Sequence, residues 1–529
     1  MSSRGAPWKA LAALGAAALA LRVAASVIVP DPAYLDAAYY ELVARRLAAG
    51  DGFSVPVVWS FLETGGVLPP EPMLPVPSNR HWMPLTAILS AGSMSLIGAT
   101  RFAAELPHAI LGALLVPATG WIGWWLWSSR RVALFAGVLA LFAGPMLVYV
   151  PMVDSFALFG VAGAAAIAAS IRATAPGAGG GWLIVSGVAV GLATLTRVDG
   201  VLLAVAPAIA WLARRGMGPW RVEGPAIGIG WAAAGAAACA LVLAPWLARQ
   251  VAEFGSALPS AGGRLLWIAS YNEQFSITGD PTLGSYLASG PAVVVGARLD
   301  TLVQLLGRTS VVLGGAFIVP FLFGLWRERR RPELAPFIVY WVVLFAAMVL
   351  VFTFHAPAGA WYHSAWAWLP FAIPLAVANG LPLLDALGRR APMLRRPRNV
   401  RFLAGAALVG AVVLSLIGSA SLAAGWRRDS AKVAAAAAYL SVHASASDVV
   451  MYVDPPSLNL LTANPAVAPP FEQPAVVGEV ARAYDVRWLV VERATGAARD
   501  VLDLWEGAAW LGDAPAFEDG DIRIFAVDR

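Results

Sequence analysis

Residues 31–52 read DPAYLDAAYYELVARRLAAGDG, and the loop they open closes at residues 78–85 with SNRHWMPL. The loop follows the first apolar run directly and carries Asp31, Asp36, Tyr39, Tyr40, Glu63, Glu71, Arg80 and His81. Its opening reads as a helix, with Asp31 as cap, Pro32 at the first helical position and Gly50 as the stop. At about 100° per residue, Leu35, Tyr39, Leu42 and Val43 share one face, with Leu47 at its edge. Asp36 projects between Val43 and Leu47, inside the apolar margin, and Tyr40 lies one turn on, within reach of its carboxylate. Such a helix lies flat on a membrane surface and holds Asp36 at the lipid boundary. Partial desolvation there raises a carboxylate's pKa toward that of a useful general base. On spacing alone, an aspartate in a first turn is more often a complement to the helix dipole.

The composition surrounds that loop with lipid-soluble sequence. The 529 residues are 59% hydrophobic and 13% charged, with mean hydropathy +0.69, whereas ordinary soluble domains run nearer a quarter charged. The net charge of +5 is no nucleic-acid signature, because the arginines gather in short loops between apolar runs. The single cysteine, Cys239, excludes an intramolecular disulfide and leaves the redox compartment unread. Residues 1–29 resemble a signal peptide; we expect an uncleaved span at 10–29, because the polar loop begins immediately after it.

Crossings need about 17–25 apolar residues. After the first, the run Pro84–Gly98 is short and rich in Gly and Ser, and reads as a juxtamembrane helix. Later spans are expected near 106–127, 132–150, 156–172, 182–197, 200–213, 225–248, 308–326, 335–353, 362–380 and 402–424, about eleven in all. This count puts Arg4 and Lys9, Arg130 and Arg131, Arg172, Arg214, Arg215 and Arg221, Arg327 to Arg331, and the run Arg389–Arg401 in inward loops. A crossing at Pro84–Gly98 would turn those clusters outward, against the positive-inside rule. The chain is therefore expected in the cell (inner) membrane, N-terminus cytoplasmic and C-terminal segment extracytoplasmic. Trp121, Trp124, Trp125 and Trp127 gather at one interface, and Trp361, Trp366 and Trp368 near the other.

The same topology brings Asp36, Arg80, His81, His108, Asp154, Arg197, Asp199, His355 and His363 to the outer boundary, four of the five histidines among them. Ionisable residues at span ends are candidate site residues when they converge. Two further outward loops stand out. Residues 250–291 mix Trp267, Tyr271, Phe275 and Tyr286 with Arg264, Asn272, Glu273 and Asp280, a length and composition more often functional than connective. The loop TFHAPAGAWYHS places His355 and His363 around Gly359, without the spacing of a zinc site. From about Trp426, helix-like and strand-like runs alternate: KVAAAAAYLSVHA, DVVMYVD, VGEVARAYDV, RWLVVE and DIRIFAVD. They predict a small α/β domain at 426–529. The rest, 1–425, is expected to be a transmembrane catalytic domain with extracytoplasmic loops at 31–85 and 250–291.

The order of these parts resembles the C-type glycosyltransferase (GT-C) superfamily, membrane enzymes that use polyprenyl-phosphate sugars. It looks closest to the branch holding protein O-mannosyltransferases and the lipid A aminoarabinose transferase. DAAYYELVARRLAAGDG resembles that family's DE-x-x-Y-x-x-x-A-x-x-L-x-x-G-D segment. HWMPLTAILSAGSMSLIGATRFAAELPHAILGAL resembles its KPPL juxtamembrane helix and the entry to the next span. VPMVDSFALF resembles its second outward acidic position, and GLATLTRVDGVLL its G-L-A-x-L-T hairpin. The fold this implies is mainly α and polytopic, a GT-C-like bundle with outer juxtamembrane helices and the small C-terminal α/β domain.

The resemblance implies a hexosyl- or pentosyltransferase that moves a sugar from a polyprenyl-phosphate donor to a lipid, glycan or protein acceptor of the cell envelope. It makes Asp36 the base for the acceptor hydroxyl in an inverting displacement. It makes Asp154 a second acidic residue for acceptor or sugar contacts. Asp36 and Asp154 are also the ligands to expect for a divalent cation; no cofactor is certain. The family's Glu after the first Asp is Ala37 here, and the Lys of KPPL is missing from HWMPL. The leaving phosphate needs cationic or hydrogen-bonding groups, and Arg80 and His81 are the nearest, with Arg264, Arg197, His355 or His363 behind them and Tyr40 beside Asp36. Partners are thus the lipid-linked donor, an acceptor and membrane lipids, with no nucleic acid. Two alternatives stay open: a lipid-linked saccharide transporter or flippase, and a non-catalytic polyprenyl-lipid-binding protein. Transporters place polarity at mid-membrane, whereas these spans are nearly free of charge.

Overall fold

The computed structural model describes residues 5–258, 262–389, 391, 396–492, 508–512 and 514–527. Arg4, Arg390 and Arg395 of the basic clusters, and 493–507 of the C-terminal domain, lie outside the described residues.

Among the described residues, seven helices are long and apolar enough to cross a membrane: Trp8–Ile28, Arg101–Trp127, Ser155–Thr174, Ile229–Phe254, Pro332–Leu350, Ala356–Gly388 and Pro397–His443. Of the other expected spans, 182–197 is one continuous but shorter helix, Gly181–Thr196, and the remaining three are helical but interrupted. The 132–150 run is a helix only over Arg130–Leu141, followed by a 3₁₀ turn at Gly144–Leu147. The 200–213 run divides into a 3₁₀ stretch, Val198–Ala204, and the helix Val205–Arg214. The 308–326 run divides into Pro291–Val312 and Ile318–Arg327. The Pro84–Gly98 run forms the helix Leu85–Ile97; thirteen residues rise about 20 Å, short of a bilayer core.

The chain forms two compact units. The first comprises residues 1–28, 105–246 and 298–422. Its core is aromatic and aliphatic, with Phe156, Phe159, Ile167, Phe337, Trp361, Trp368 and Phe371 all buried. With lipid outside, apolar burial no longer distinguishes helix contact from lipid contact, so small residues that let backbones approach decide the packing. Gly163 shows this: a Cβ there would lie 2.4 Å from the Ala367 Cβ, so the Ser155–Thr174 and Trp361–Gly388 helices approach only because that position carries no side chain.

The second unit comprises residues 29–104, 247–297 and 423–529. It holds a six-stranded sheet in the order Val57–Val58, Ala466–Val467, Val449–Met451, Val486–Glu492, Ile522–Ala526, Phe517–Asp519. The first four strands are parallel and the last two antiparallel. In RWLVVE, Leu489 and Val490 are both buried but belong to separate clusters. Leu489 packs with Val58, Val477 and Tyr484, and Val490 with Val433, Leu440 and Ile524. Both faces are covered, by the Pro474–Ala483 helix and the end of the 47-residue Pro397–His443 helix, which explains a continuous apolar strand.

The C-terminal α/β elements thus fall where the alternation places them. The boundary at 426 lies inside one helix, and the outermost strand of the sheet comes from the first loop, with Val57 opposite Ala466 and Val58 opposite Val467.

Candidate functional site

In the second unit, the opening helix runs Leu35–Ala49, with Asp36 in its first turn. The cap is Tyr34, not Asp31: Tyr34 is extended at φ −162° and its ring stacks on Trp426 at 5.0 Å, so the helix begins three residues later than Pro32 would place it. Gly50 ends the helix as expected, in the left-handed conformation, with its N–H turned back to the Leu47 carbonyl and the Asp51 N–H to the Arg46 carbonyl. Asp36 is half-buried. Burial of the hydroxyl end, and then the negative charge of Asp36, push the Tyr271 phenol above its ordinary value. Tyr271, from the 250–291 loop, therefore belongs to the surroundings of Asp36.

One turn inward the helix is fixed by a buried carboxylate, Glu63, only 2% exposed. Its Oε1 accepts from the Tyr39 hydroxyl at 3.1 Å and from Trp59 Nε1 at 2.9 Å. Its Oε2 accepts from the Arg80 backbone N–H at 3.1 Å, and the His81 N–H also donates to the carboxylate. Burial raises the Glu63 pKa, and these four donors oppose the rise by stabilising the anion. The Tyr39 hydroxyl in turn accepts from the Asn79 N–H at 2.8 Å. Around this hub Trp59 and Trp82 stack at 4.3 Å, Tyr40 stacks on Trp82 at 5.4 Å, and Tyr39 meets Trp82 edge-on at 4.7 Å. The helix carrying Asp36 and the turn carrying Arg80 and His81 are thereby one packed body.

The Arg80 guanidinium is half-buried and lies 5.0 Å from the centre of the Phe254 ring. Burial lowers its pKa, and the Glu63 charge opposes this. It passes over Gly65, where a Cβ would meet Arg80 Nη2 at 2.5 Å. Gly65 has φ +85°, a left-handed backbone that favours glycine, and a side chain there would push the Arg80 guanidinium aside. His81 lies beside Trp59, with ring centres 5.8 Å apart. Arg264 is differently placed. It donates to the Gly66 carbonyl at 3.0 Å and to the Gly279 carbonyl, and lies 3.6 Å from Asp280, so its guanidinium ties two loops together.

In the first unit, Asp154 is 1% exposed and caps the Ser155–Thr174 helix through the Ser155 N–H. Its Oδ1 lies 3.5 Å from His363 Nδ1, and the Ser155 hydroxyl sits between them, 3.1 Å from Asp154 Oδ1 and 2.9 Å from His363 Nδ1. The His363 ring stacks on Phe156 at 4.0 Å. Arg197 Nε pairs with Asp199 Oδ1 at 2.9 Å, and the Ser364 hydroxyl donates to Asp199 Oδ2. A carboxylate oxygen and an imidazole nitrogen, as Asp154 and His363 present, are ligand types that divalent metals accept. His355 precedes the π-turn Ala356–Ala360, its carbonyl accepting from the Ala358 and Ala360 N–H groups. Burial lowers its pKa to about 4, so it is neutral at pH 7 and offers a phosphate no charge.

Sequence reasoning names Glu63 in the first loop without giving it a role, and misses Trp59 and Ser155. A single glutamate in a long loop carries no periodic signal, and Ser155 acquires its role only from contact with His363, 208 positions away.

A family model described as dolichyl-phosphate-mannose-protein mannosyltransferase matches residues 83–253, about a third of the chain. No curated protein matches the chain by sequence. Among solved structures, ArnT from Cupriavidus metallidurans bound to undecaprenyl phosphate is similar at 15% identity and TM-score 0.60, covering 98% of both chains. Its apo state is similar at 15% identity and TM-score 0.57, covering 97% of both. The archaeal oligosaccharyltransferase AglB from Archaeoglobus fulgidus, in complex with an inhibitory peptide and a dolichol-phosphate, matches at 12% identity and TM-score 0.50 over 90% of this chain and 69% of its own. At these identities the likeness shows a shared fold, that of a multi-pass GT-C membrane protein.

Proposed function

We propose that this chain transfers a sugar from a polyprenyl-phosphate donor to an acceptor hydroxyl at the outer membrane face, with inversion. The observation that carries the reading is the coupling within the second unit: Asp36 and Arg80 project from segments that Glu63, Tyr39 and Trp82 lock together. A base and a cation held in one rigid body suit a displacement that needs a proton removed and an anion stabilised.

In this mechanism Asp36 takes the proton of the acceptor hydroxyl as its oxygen bonds to the anomeric carbon. The bond from that carbon to the phosphate oxygen breaks on the opposite face, and its electron pair leaves with the polyprenyl phosphate. The Arg80 guanidinium meets the charge that develops on the phosphate, in the role that the missing Lys of HWMPL leaves vacant. Asp154 and His363 bind sugar or acceptor hydroxyls, or hold a divalent cation. Loss of turnover on chelation, restored by magnesium or manganese, would assign them the cation; unchanged turnover would assign them the hydroxyls.

The test is purified protein in nanodiscs with a panel of labelled polyprenyl-phosphate sugars and cell-envelope extract as acceptor. Release of lipid phosphate with one donor, and a product of inverted anomeric configuration, is expected. Donor binding without release in the presence of extract would favour a binding or flipping protein instead.

A further inference from the structure

At the other end of the Ser155–Thr174 helix from Asp154, about 30 Å away by helical rise, the first unit has a cavity that the transfer reaction does not use. It measures about 490 Å³ and opens between the Arg101–Trp127, Ser155–Thr174 and Gly181–Thr196 helices. Trp121, Trp125, Ala165, Ala169, Arg172 and Trp182 line it. Arg172 lies in the last turn of its helix, and its exposed guanidinium sits between two indoles, 5.8 Å from the Trp125 ring and 5.7 Å from the Trp182 ring. Trp121 stacks on Trp125 at 5.2 Å and extends the aromatic wall. The alanines leave an apolar groove running from the guanidinium along the helix toward mid-span.

We propose that this cavity binds one anionic glycerophospholipid, its phosphate on Arg172 and the start of an acyl chain in the alanine groove. Three features select that occupant. Among the described residues no carboxylate pairs with Arg172, so its charge is free to meet an anion. The walls are otherwise apolar and belong to two membrane-crossing helices and the shorter apolar helix Gly181–Thr196, so the ligand arrives from the bilayer, with indoles at headgroup depth. The helix that follows Trp127 opens on Arg130 and Arg131, both exposed, which add positive charge a few residues on from Trp125. Exposed charges of this kind near the membrane surface attract anionic lipid. A zwitterionic lipid would bring its own cation against that field and gain less.

The experiment is native mass spectrometry of the full chain released from nanodiscs that contain phosphatidylglycerol and phosphatidylcholine in equal amounts. Wild type should retain one phosphatidylglycerol in preference to phosphatidylcholine. Arg172→Gln should lose that preference by about tenfold or more, the scale of a charge-assisted hydrogen bond to phosphate. Ala165→Phe, which keeps the charge but fills the groove from an exposed position, should lose the retained lipid too. Equal retention of both lipids by wild type, or undiminished phosphatidylglycerol preference in Arg172→Gln, would overturn the assignment. Neither readout depends on transferase activity.

Discussion

At the residue scale, the donor end of the proposed reaction depends on where one guanidinium points. Gly65→Ala would put a methyl group on the path of Arg80 and force a left-handed backbone onto a residue with a side chain. The substitution should raise the KM for donor about tenfold, the scale of one charge-assisted contact, while kcat falls less; steady-state kinetics on both constants checks this. A second residue, Asp454, reports on the α/β part. Burial raises its carboxyl to about 6, against the hydrogen bonds from Ser457, and the negative charges of Glu492 and Asp429 add to the rise. A raised folded-state pKa favours the protonated form, so its contribution is fully present below the ordinary value of 3.8 and is lost as pH rises through about 6. Thermal melting should show a stability loss across that window, and Asp454→Asn, which keeps an amide oxygen to cap the Pro455–Thr462 helix, should flatten it. Not every site residue was legible at this scale. Asp36 and Arg80 stand out in sequence because charge is rare beside apolar runs. Glu63 does not, because its meaning comes from four donors brought to it by folding.

At the element scale, the loops are held by carboxylates as much as by apolar contacts. Glu472, in the C-terminal segment, accepts from the Ser276 hydroxyl at 2.6 Å, the Ile277 and Thr278 N–H groups at 2.8 Å each and the Thr278 hydroxyl at 2.9 Å. Burial alone would raise its pKa, but these bonds outweigh it and hold the carboxyl below the ordinary value. A depressed folded-state pKa means that the clamp is intact above pH 4.5 and is lost as pH falls through the folded value. Limited proteolysis within 250–291 should therefore speed up on acidification, and Glu472→Ala should show the same fast cleavage at pH 7. Helix existence was readable here from apolar runs, and the C-terminal strands from their alternation with helices. The Val57–Val58 strand was not, because two residues are too short to show a period. The early helix start was misjudged because Asp31-Pro32 carries a standard cap signature, whereas tertiary stacking of Tyr34 on Trp426 holds the backbone extended through Tyr34.

At the scale of the whole molecule, sequence and structure agree on a polytopic GT-C fold because the bilayer imposes the same demands on both: long apolar helices and charge at their ends. Side-chain convergence was the illegible part. Asp154 and His363 meet through packing of the Ser155–Thr174 and Trp361–Gly388 helices, which depends on a missing side chain at Gly163 rather than on any polar motif. The central claim is that Asp36 removes the acceptor proton. It is tested most directly by comparing wild type and Asp36→Asn, with donor binding and lipid-phosphate release measured separately on the accepted donor. Binding within about threefold of wild type, with release slowed by 10²-fold or more, is the result expected for a lost general base. Equal release by the two proteins would contradict the account and remove Asp36 from the chemistry.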